Sequence, residues 1–189
     1  MSELIANRYR VLGELGRGNM GAVYRVADTL EGDRLMALKV IQAPGAITPE
    51  LRLLFKEEFR AMTKLRHPNT ISVFGYGELD EKSQYLTMEI VPGAELADVI
   101  GRKPMALDAV YPLLVQLLQA LGFIHSRLYV HHDIKAQNIR LRDDGTLKLM
   151  DFGLMCQLGR PALGRRVTGT PGYLPPEIVK GGVINASTD

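Results

Sequence analysis

The sequence predicts an α+β protein with two lobes, the first built mainly on strands and the second mainly on helices. In the first half, short runs rich in Val, Leu, Tyr and Met alternate with glycine-containing breaks, which is the pattern of an antiparallel sheet. Beyond Pro92-Gly93 the pattern turns to helical periodicity. We therefore expect a first lobe over residues 1–91 and a second, incomplete lobe over residues 92–189.

The first lobe is expected to hold a five-stranded sheet and one helix. The helix begins at Thr48-Pro49-Glu50, which supplies a capping hydroxyl, a proline at the first position and an acid in the first turn. Helical spacing of apolar residues carries it to Arg66. The strands are expected at Tyr9–Gly16, Ala22–Asp28, Arg34–Gln42, Thr70–Glu78 and Tyr85–Val91.

The second lobe is expected to open with a long helix, from Asp108 to about Arg127. Its apolar core, 109–124, contains one proline and two glutamines, and we expect it to be too short to span a bilayer. A hairpin should follow, with strands Ile139–Arg142 and Thr146–Met150.

Composition restricts the class of protein. The 189 residues are 46% hydrophobic and 23% charged, values that suit a globular protein and exclude a disordered chain. Lys and Arg total 23 against 21 Asp and Glu, and this balance of +2 gives no reason to expect nucleic acid as a partner. The single cysteine, Cys156, excludes an internal disulfide. With no basic, apolar leader at the N-terminus, we expect a cytoplasmic chain without membrane contact.

The first chemical motif is a glycine-rich loop, Gly16-Arg17-Gly18-Asn19-Met20-Gly21-Ala22-Val23. Glycines let backbone N–H groups approach a phosphate closely, because no Cβ stands in the way. The same spacing also marks dinucleotide-binding folds, but those need a helix directly after the glycines, whereas 22–26 continues as a strand. A phosphate-binding loop and a simple hairpin turn both remain open on this evidence.

Two charged residues lie on faces that should be buried. Lys39 interrupts the apolar run 35–41, and Glu58 lies in the apolar stripe of the first helix. A buried charge is costly unless it is paired, so we expect these two side chains to pair. The alternative is that each extends to solvent.

The third motif is the polar segment His131-His132-Asp133-Ile134-Lys135-Ala136-Gln137-Asn138. Folding the hairpin that follows about the 144–145 bond places Asn138 opposite Asp151. Oxygen ligands of this kind, close to Asp133, suit Mg²⁺ bound together with substrate phosphates. The alternative is a solvated loop of Asp and Asn residues.

Taken together, these motifs resemble the eukaryotic-type (Hanks-type) Ser/Thr protein kinases, and especially their bacterial members, from Tyr9 to Asp189. The resemblance implies a bilobal fold, ATP and Mg²⁺ as cofactors, and protein Ser/Thr hydroxyls as phosphate acceptors. It implies that Asp133 is the catalytic aspartate and Lys135 its companion, and that Asn138 and Asp151 bind the metal.

The resemblance also assigns the ATP-binding positions. The glycine-rich loop would cover the phosphates, Lys39 would contact them with Glu58 as its partner, and the segment around Glu89 would bind adenine through its backbone. The implied set is Leu15, Gly16, Arg17, Gly18, Asn19, Met20, Gly21, Ala22, Val23, Ala37, Lys39, Glu58, Met88, Glu89 and Val91. Thr168 and Thr170 lie in what resembles the end of an activation segment, which continues to Glu177.

Several positions depart from the family pattern. His132 replaces an arginine, Leu128 replaces a glycine, and Arg140 stands where the residue beneath adenine is usually apolar. The sequence stops at Asp189, which resembles the first residue of the central helix of the second lobe, so we expect a truncated catalytic domain. Two alternatives remain: a non-catalytic nucleotide-binding regulatory module, and a small-molecule phosphotransferase, which should lack the segment 169–173.

Overall fold

The computed structural model describes residues 4–18, 21–42, 49–152, 155–159, 170 and 172–189, with the backbone alone for 49–55 and 58. The chain divides into two compact units, residues 1–65 with 72–90 and residues 66–71 with 91–189.

The first unit is built on a six-stranded antiparallel sheet. Its strands, in chain order, are β1 (Leu4–Ile5), β2 (Tyr9–Gly18), β3 (Gly21–Asp28), β4 (Arg34–Gln42), β5 (Val73–Glu78) and β6 (Ser83–Met88), and their order across the sheet is β1-β2-β3-β4-β6-β5. The five expected strands are all present. The sixth, β1, has two residues, too few for its alternation to be visible in the sequence.

Alternation along the strands produces the core of this unit. Tyr9, Val26, Met36 and Leu38 are buried and pack together, because residues two apart on a strand share a face. Helix α1 (Pro49–Lys64) ends two residues earlier than expected, and its expected cap, Thr48, lies outside the described residues.

Strand β5 begins at Val73 rather than at Thr70, because Thr70 and Ile71 belong to the second unit. Leu149 donates its N–H to the carbonyl of Asn69 (2.8 Å), and its own carbonyl accepts from Ile71 (2.9 Å). Thr70 thus forms a parallel bridge to Leu149 instead of extending β5.

In the part of the second unit that the structure describes, there are three α-helices and two small sheets. The helices are α2 (Leu96–Arg102), α3 (Leu107–His125) and α4 (Pro176–Val179). The strands are β7 (Ala94–Glu95), β8 (Tyr129–Val130), β9 (Ile139–Leu141), β10 (Leu147–Leu149) and β11 (Cys156–Gln157). One sheet has the order β10-β9-β7, and the other pairs β11 with β8.

Helix α3 lies within two residues of its expected bounds. Its 19 residues make it about 29 Å long, so it is long enough, and apolar enough, to cross a membrane by those two criteria. The expectation concerned the apolar segment 109–124, and the helix includes residues on both sides of that segment. Three of its residues are buried: Ala120, Leu121 and Ile124. Its Gln116 accepts hydrogen bonds from Asn69 and from the N–H of Leu147, which attach the helix to the rest of the second unit.

A second small core lies beneath β8 and β11. Val130, Cys156, Ile178 and Ile184 are buried together, so the cysteine thiol is part of the hydrophobic packing. This cluster connects the strand before the polar segment 131–138 to helix α4 and to the last residues of the chain.

Candidate active site

The polar segment 131–138 connects β8 to β9, and its first histidine is fully buried. His131 Nε2 lies 2.7 Å from the carbonyl oxygen of Met150, and Nδ1 lies 3.4 Å from the N–H of Asp133. This pattern fits a neutral ring that donates at Nε2 and accepts at Nδ1. Burial lowers the pKa of His131, which favours the same state. The ring also packs edge-on against Phe152, at 5.0 Å between centroids. His131 therefore stabilises the polar segment through the buried contacts of its ring.

The carboxylate of Asp133 is the centre of a network of donors. Its Oδ2 lies 2.8 Å from Lys135 Nζ and accepts from Asn138 Nδ2 at 2.7 Å. Its Oδ1 accepts from the hydroxyl of Thr170 at 2.8 Å. Lys135 Nζ in turn donates to that hydroxyl oxygen at 2.6 Å. An alcohol group is thus held between a carboxylate and an ammonium group.

Hydrogen bonding decides the charge of this carboxylate. Burial by itself would raise the pKa of Asp133, but the hydrogen bonds from Lys135, Thr170 and Asn138 outweigh burial and lower that pKa below its usual value. Asp133 is therefore ionised at neutral pH, and it can accept a hydrogen bond or a proton from an alcohol.

Asn138 and Asp151 provide oxygen ligands. The buried amide of Asn138 donates through Nδ2 to the backbone and side-chain oxygens of Asp133, which leaves its Oδ1 as an acceptor on the other side. Asp151 follows β10 in a left-handed backbone conformation, with φ 53°. An amide oxygen with one carboxylate is a donor set that fits Mg²⁺ when phosphate oxygens complete the coordination. Within the described part of the chain, no three His, Cys, Asp or Glu side chains form a metal cluster of their own.

The register of the β9–β10 hairpin differs by one residue from the predicted one. Leu141 pairs with Leu147. The N–H of Met150 donates to the carbonyl of Asn138 at 2.8 Å, so Met150 is the residue opposite Asn138. Asp151 is therefore not directly opposite Asn138. The prediction folded the hairpin about the 144–145 bond, whereas the observed pairing is centred on residue 144, with the strands ending at 141 and 147.

In the first unit, the glycine-rich loop is the turn between β2 and β3. Gly18 pairs with Gly21, and Asn19 and Met20 lie outside the described residues. A Cβ on Gly21 would lie 1.8 Å from the carbonyl oxygen of Val40, and its φ is 138°, so the sheet itself requires glycine there. A Cβ on Gly16 or Gly18 would meet no atom within 4 Å. The sheet does not explain these two glycines, which leave open space above the loop.

The neighbouring residues of the loop differ in exposure. Leu15 is exposed, and the guanidinium of Arg17 forms a 2.6 Å ion pair with Glu14. Ala22 is buried.

The charged and apolar candidates of the first unit are positioned by strand register. Lys39 in β4 lies between Val23 of β3 and Leu86 of β6. Ala37, two residues earlier, pairs with Met88 at the end of β6, and both are buried. The expected pair between Lys39 and the first helix stays a prediction, because the side chain of Glu58 lies outside the described residues.

The residues after β6 divide between the two units. Glu89 belongs to the first unit, where its carboxylate accepts from the N–H of Ser72 at 2.7 Å. Val91 belongs to the second unit, where its carbonyl accepts from Arg140 Nη1 at 3.3 Å. The guanidinium of Arg140 thus lies beside the backbone that the resemblance assigns to adenine binding.

The sequence did not reveal the contact of Thr170 with Asp133 and Lys135. The residues are more than thirty positions apart, and no periodicity connects them. The other activation-segment candidate, Thr168, and the glycine at position 153 lie outside the described residues.

The sequence matches a known protein family over nearly its whole length. The protein kinase domain family model matches residues 9–189. The probable serine/threonine-protein kinase PknB of Lactococcus lactis is 35% identical over 192 residues, which cover all of this chain and 30% of the relative. The serine/threonine-protein kinase PknL of Mycobacterium tuberculosis (strain H37Rv) is 34% identical over all of this chain and 47% of the relative. PrkC of Bacillus subtilis, also a serine/threonine-protein kinase, is 31% identical over 98% of this chain and 29% of the relative.

The chain thus spans between 29% and 47% of the length of these relatives. The family match begins at the first long strand and includes both the glycine-rich loop and the network around Asp133. On this evidence, the chain belongs to the protein kinase domain family, with bacterial serine/threonine-protein kinases among its relatives.

Proposed function

We propose that this chain transfers the γ-phosphate of ATP, bound with Mg²⁺, to Ser and Thr hydroxyls of protein substrates. The observation that supports this most strongly is the alcohol group of Thr170, held 2.8 Å from the carboxylate of Asp133 and 2.6 Å from the ammonium group of Lys135. A substrate hydroxyl would need the same surroundings. A base must accept the proton of the alcohol, and a cation must stabilise the charge on the transferred phosphoryl group.

In this proposal, the second unit carries the reaction. Asp133 orients the attacking hydroxyl and accepts its proton, and Lys135 stabilises the negative charge on the transferred phosphoryl group. Asn138 and Asp151 would hold Mg²⁺, which neutralises phosphate charge when it is bound. His131, neutral and buried, keeps the backbone of this segment in place.

The first unit, together with the residues up to Val91, would bind ATP. Gly16 and Gly18 support this assignment. A Cβ at either position would contact no other strand, so packing of the sheet does not require glycine there, and the open space suits a phosphate. Lys39 would pair with the phosphates. Ala37 and Met88, buried side by side, would lie next to the base. We also propose a cytoplasmic location, in keeping with protein substrates.

The roles of Asp133 and Asp151 can be separated by titrating ATP with and without Mg²⁺. Asp133→Asn should leave the affinity for MgATP nearly unchanged, because its partner is the substrate hydroxyl. Asp151→Asn should remove most of the gain in affinity that Mg²⁺ gives. The matched control is Asp144→Asn, since Asp144 lies in the turn of the same hairpin and pairs with Arg142 at 3.2 Å.

Equal loss of the Mg²⁺-dependent affinity in Asp133→Asn and Asp151→Asn would contradict this division of roles. A wild-type protein that binds MgATP with no transfer to any protein or peptide would instead favour the alternative of a non-catalytic nucleotide-binding regulatory module.

A further inference from the structure

We propose that Arg140 is a specificity-determining residue for the base of the nucleotide, and that it disfavours bases with an amino group beside the carbonyl of Val91. Arg140 departs from the family pattern, and the proposed function gives it no part. The inference rests on the proposed function in one respect, namely that the backbone of Val91 contacts the base. Arg140 and Val91 both belong to the second unit.

Strand pairing fixes the backbone of Arg140. The residue lies in the central strand of the sheet β10-β9-β7, with Lys148 opposite it on one side and Glu95 on the other. Its contacts within the described residues do not include an ion pair with Glu95, although that carboxylate belongs to the neighbouring strand. The guanidinium instead donates through Nη1 to the carbonyl of Val91 at 3.3 Å.

The chain that follows Val91 is packed closely on the same strand. A Cβ on Gly93 would collide with the carbonyl of Leu141, and Gly93 has φ 111°, so the packing requires glycine there. Ala94 then pairs with Leu141 in the sheet. Val91 is therefore held beside Arg140 by the backbone as well as by the hydrogen bond from the guanidinium.

The two backbone groups of Val91 differ in what they can offer a ligand. The ring of Pro92 favours an extended backbone at Val91, in which the N–H and the C=O face the same side. The carbonyl accepts from Arg140, whereas the N–H has no hydrogen-bond partner among the described residues. Val91 is only 4% exposed, and a buried N–H without a partner is rare in folded proteins. A ring nitrogen of a base would satisfy this donor.

Arg140 makes this edge of the second unit rich in donors. A guanidinium carries five N–H groups and no acceptor. Its Nη1 is bonded to Val91, and its Nε is buried without a hydrogen-bond partner in the part of the chain that the structure describes. A ligand group beside the Val91 carbonyl thus finds that carbonyl already bonded and further donors next to it. Another donor in this place is disfavoured, because it loses its bonds to water and gains no acceptor of its own.

Adenine fits such an edge. When its N1 accepts from the N–H of Val91, it can turn position 2, which carries only a hydrogen, toward the carbonyl. In 2-amino-ATP, amino groups at positions 2 and 6 flank N1 on both sides, so one of them must face the carbonyl and the guanidinium. Arg140 therefore favours ATP over 2-amino-ATP, and it acts through the carbonyl of Val91.

The test is equilibrium competition binding of ATP and 2-amino-ATP to the whole chain, each with Mg²⁺. The readout is the ratio of the two dissociation constants, because a merely structural role of Arg140 would change both constants equally. We expect the wild type to bind 2-amino-ATP about tenfold more weakly than ATP. Arg140→Met removes the donors but keeps a long, unbranched side chain. It should bring the ratio to within about twofold, because the Val91 carbonyl can then accept from the 2-amino group.

A second variant and a control complete the design. The amide of Arg140→Gln is too short to reach the Val91 carbonyl, so this variant should give the same ratio as Arg140→Met, and it serves if that protein does not fold. Arg142→Met is the control. Arg142 lies two residues further along the chain, and its guanidinium pairs with Asp144 at 3.2 Å, so this variant should keep the tenfold ratio.

Equal affinity of the wild type for the two nucleotides would overturn the inference. So would a tenfold ratio that persists in folded Arg140→Met or Arg140→Gln protein. Loss of the ratio in Arg142→Met would also overturn it, since positive charge and not the bond to Val91 would then be the cause. These results leave ATP binding intact and refute the inference alone, whereas a wild type that binds neither nucleotide would refute the proposed function and the inference with it.

Discussion

The two units carry their candidate functional groups in contrasting ways. In the first unit, regular strand pairing positions each residue, and the most informative positions are those where a side chain is missing, Gly16 and Gly18. In the second unit, the important residues lie in an irregular segment that side-chain hydrogen bonds hold in shape. His132, in this segment, and Asp151, which follows β10, have left-handed backbones.

This contrast predicts that substitutions act differently in the two units. A residue in a regular sheet is held by many equivalent backbone bonds, so a change should act locally unless it collides with a neighbouring strand. A residue in the network around Asp133 shares its partners with Lys135, Asn138 and Thr170, so changes there should be strongly non-additive.

The largest expected effect concerns the glycines of the first unit. Gly21→Ala should lower the free energy of unfolding by about 3 kcal/mol, because the new Cβ would collide with the carbonyl of Val40. Gly18→Ala should change that free energy by less than about 1 kcal/mol, yet weaken ATP binding about tenfold. Denaturant titration and ATP titration measure the two quantities.

Gly13→Ala serves as the control for this pair. A Cβ at this position also meets no atom within 4 Å, but Gly13 lies in β2 outside the loop, so neither stability nor ATP affinity should change much. If Gly18→Ala and Gly13→Ala weakened ATP binding equally, the open space above the loop would not be a phosphate site.

The same contrast explains how much the sequence could predict. Strands such as β4 and the helix α3 were predicted to within two residues, because alternation and helical spacing are local signals. The hairpin after Asn138 was predicted with its register wrong by one residue, because that register depends on the conformation of the turn.

Contacts between distant segments left no local signal at all. The hydroxyl of Thr170 on Asp133 and the imidazole of His125 on Asp189 join residues that are 37 and 64 positions apart. The motif around Asp133 predicts a site there. The network that holds it depends on how the second unit folds, which spacing along the chain does not encode.

A smaller effect is expected where the second unit holds a leucine in a left-handed conformation. Leu128 has φ 63° and is 60% exposed, so its side chain adds little packing to offset the strain. Leu128→Gly should raise the free energy of unfolding by about 0.5–1 kcal/mol, as measured by denaturant titration.

The matched control for Leu128 lies in the first unit. Leu30 is also exposed, at 73%, in the turn between β3 and β4, but its φ is not positive. Leu30→Gly should give no gain, since glycine there only increases the freedom of the unfolded chain. Equal gains at both positions would show that backbone strain is not the cause.

The central claim is that Asp133 acts as the base for phosphate transfer to a protein hydroxyl. The most direct test is single-turnover transfer of the γ-phosphate from saturating MgATP to a pool of Ser- and Thr-containing peptides, by the wild type and by Asp133→Asn. Peptides with alanine in place of Ser and Thr provide the control. We expect phosphorylated Ser and Thr with the wild type, and a rate about 10²–10⁴-fold lower with Asp133→Asn at unchanged ATP binding. Transfer by Asp133→Asn at the wild-type rate would contradict the account.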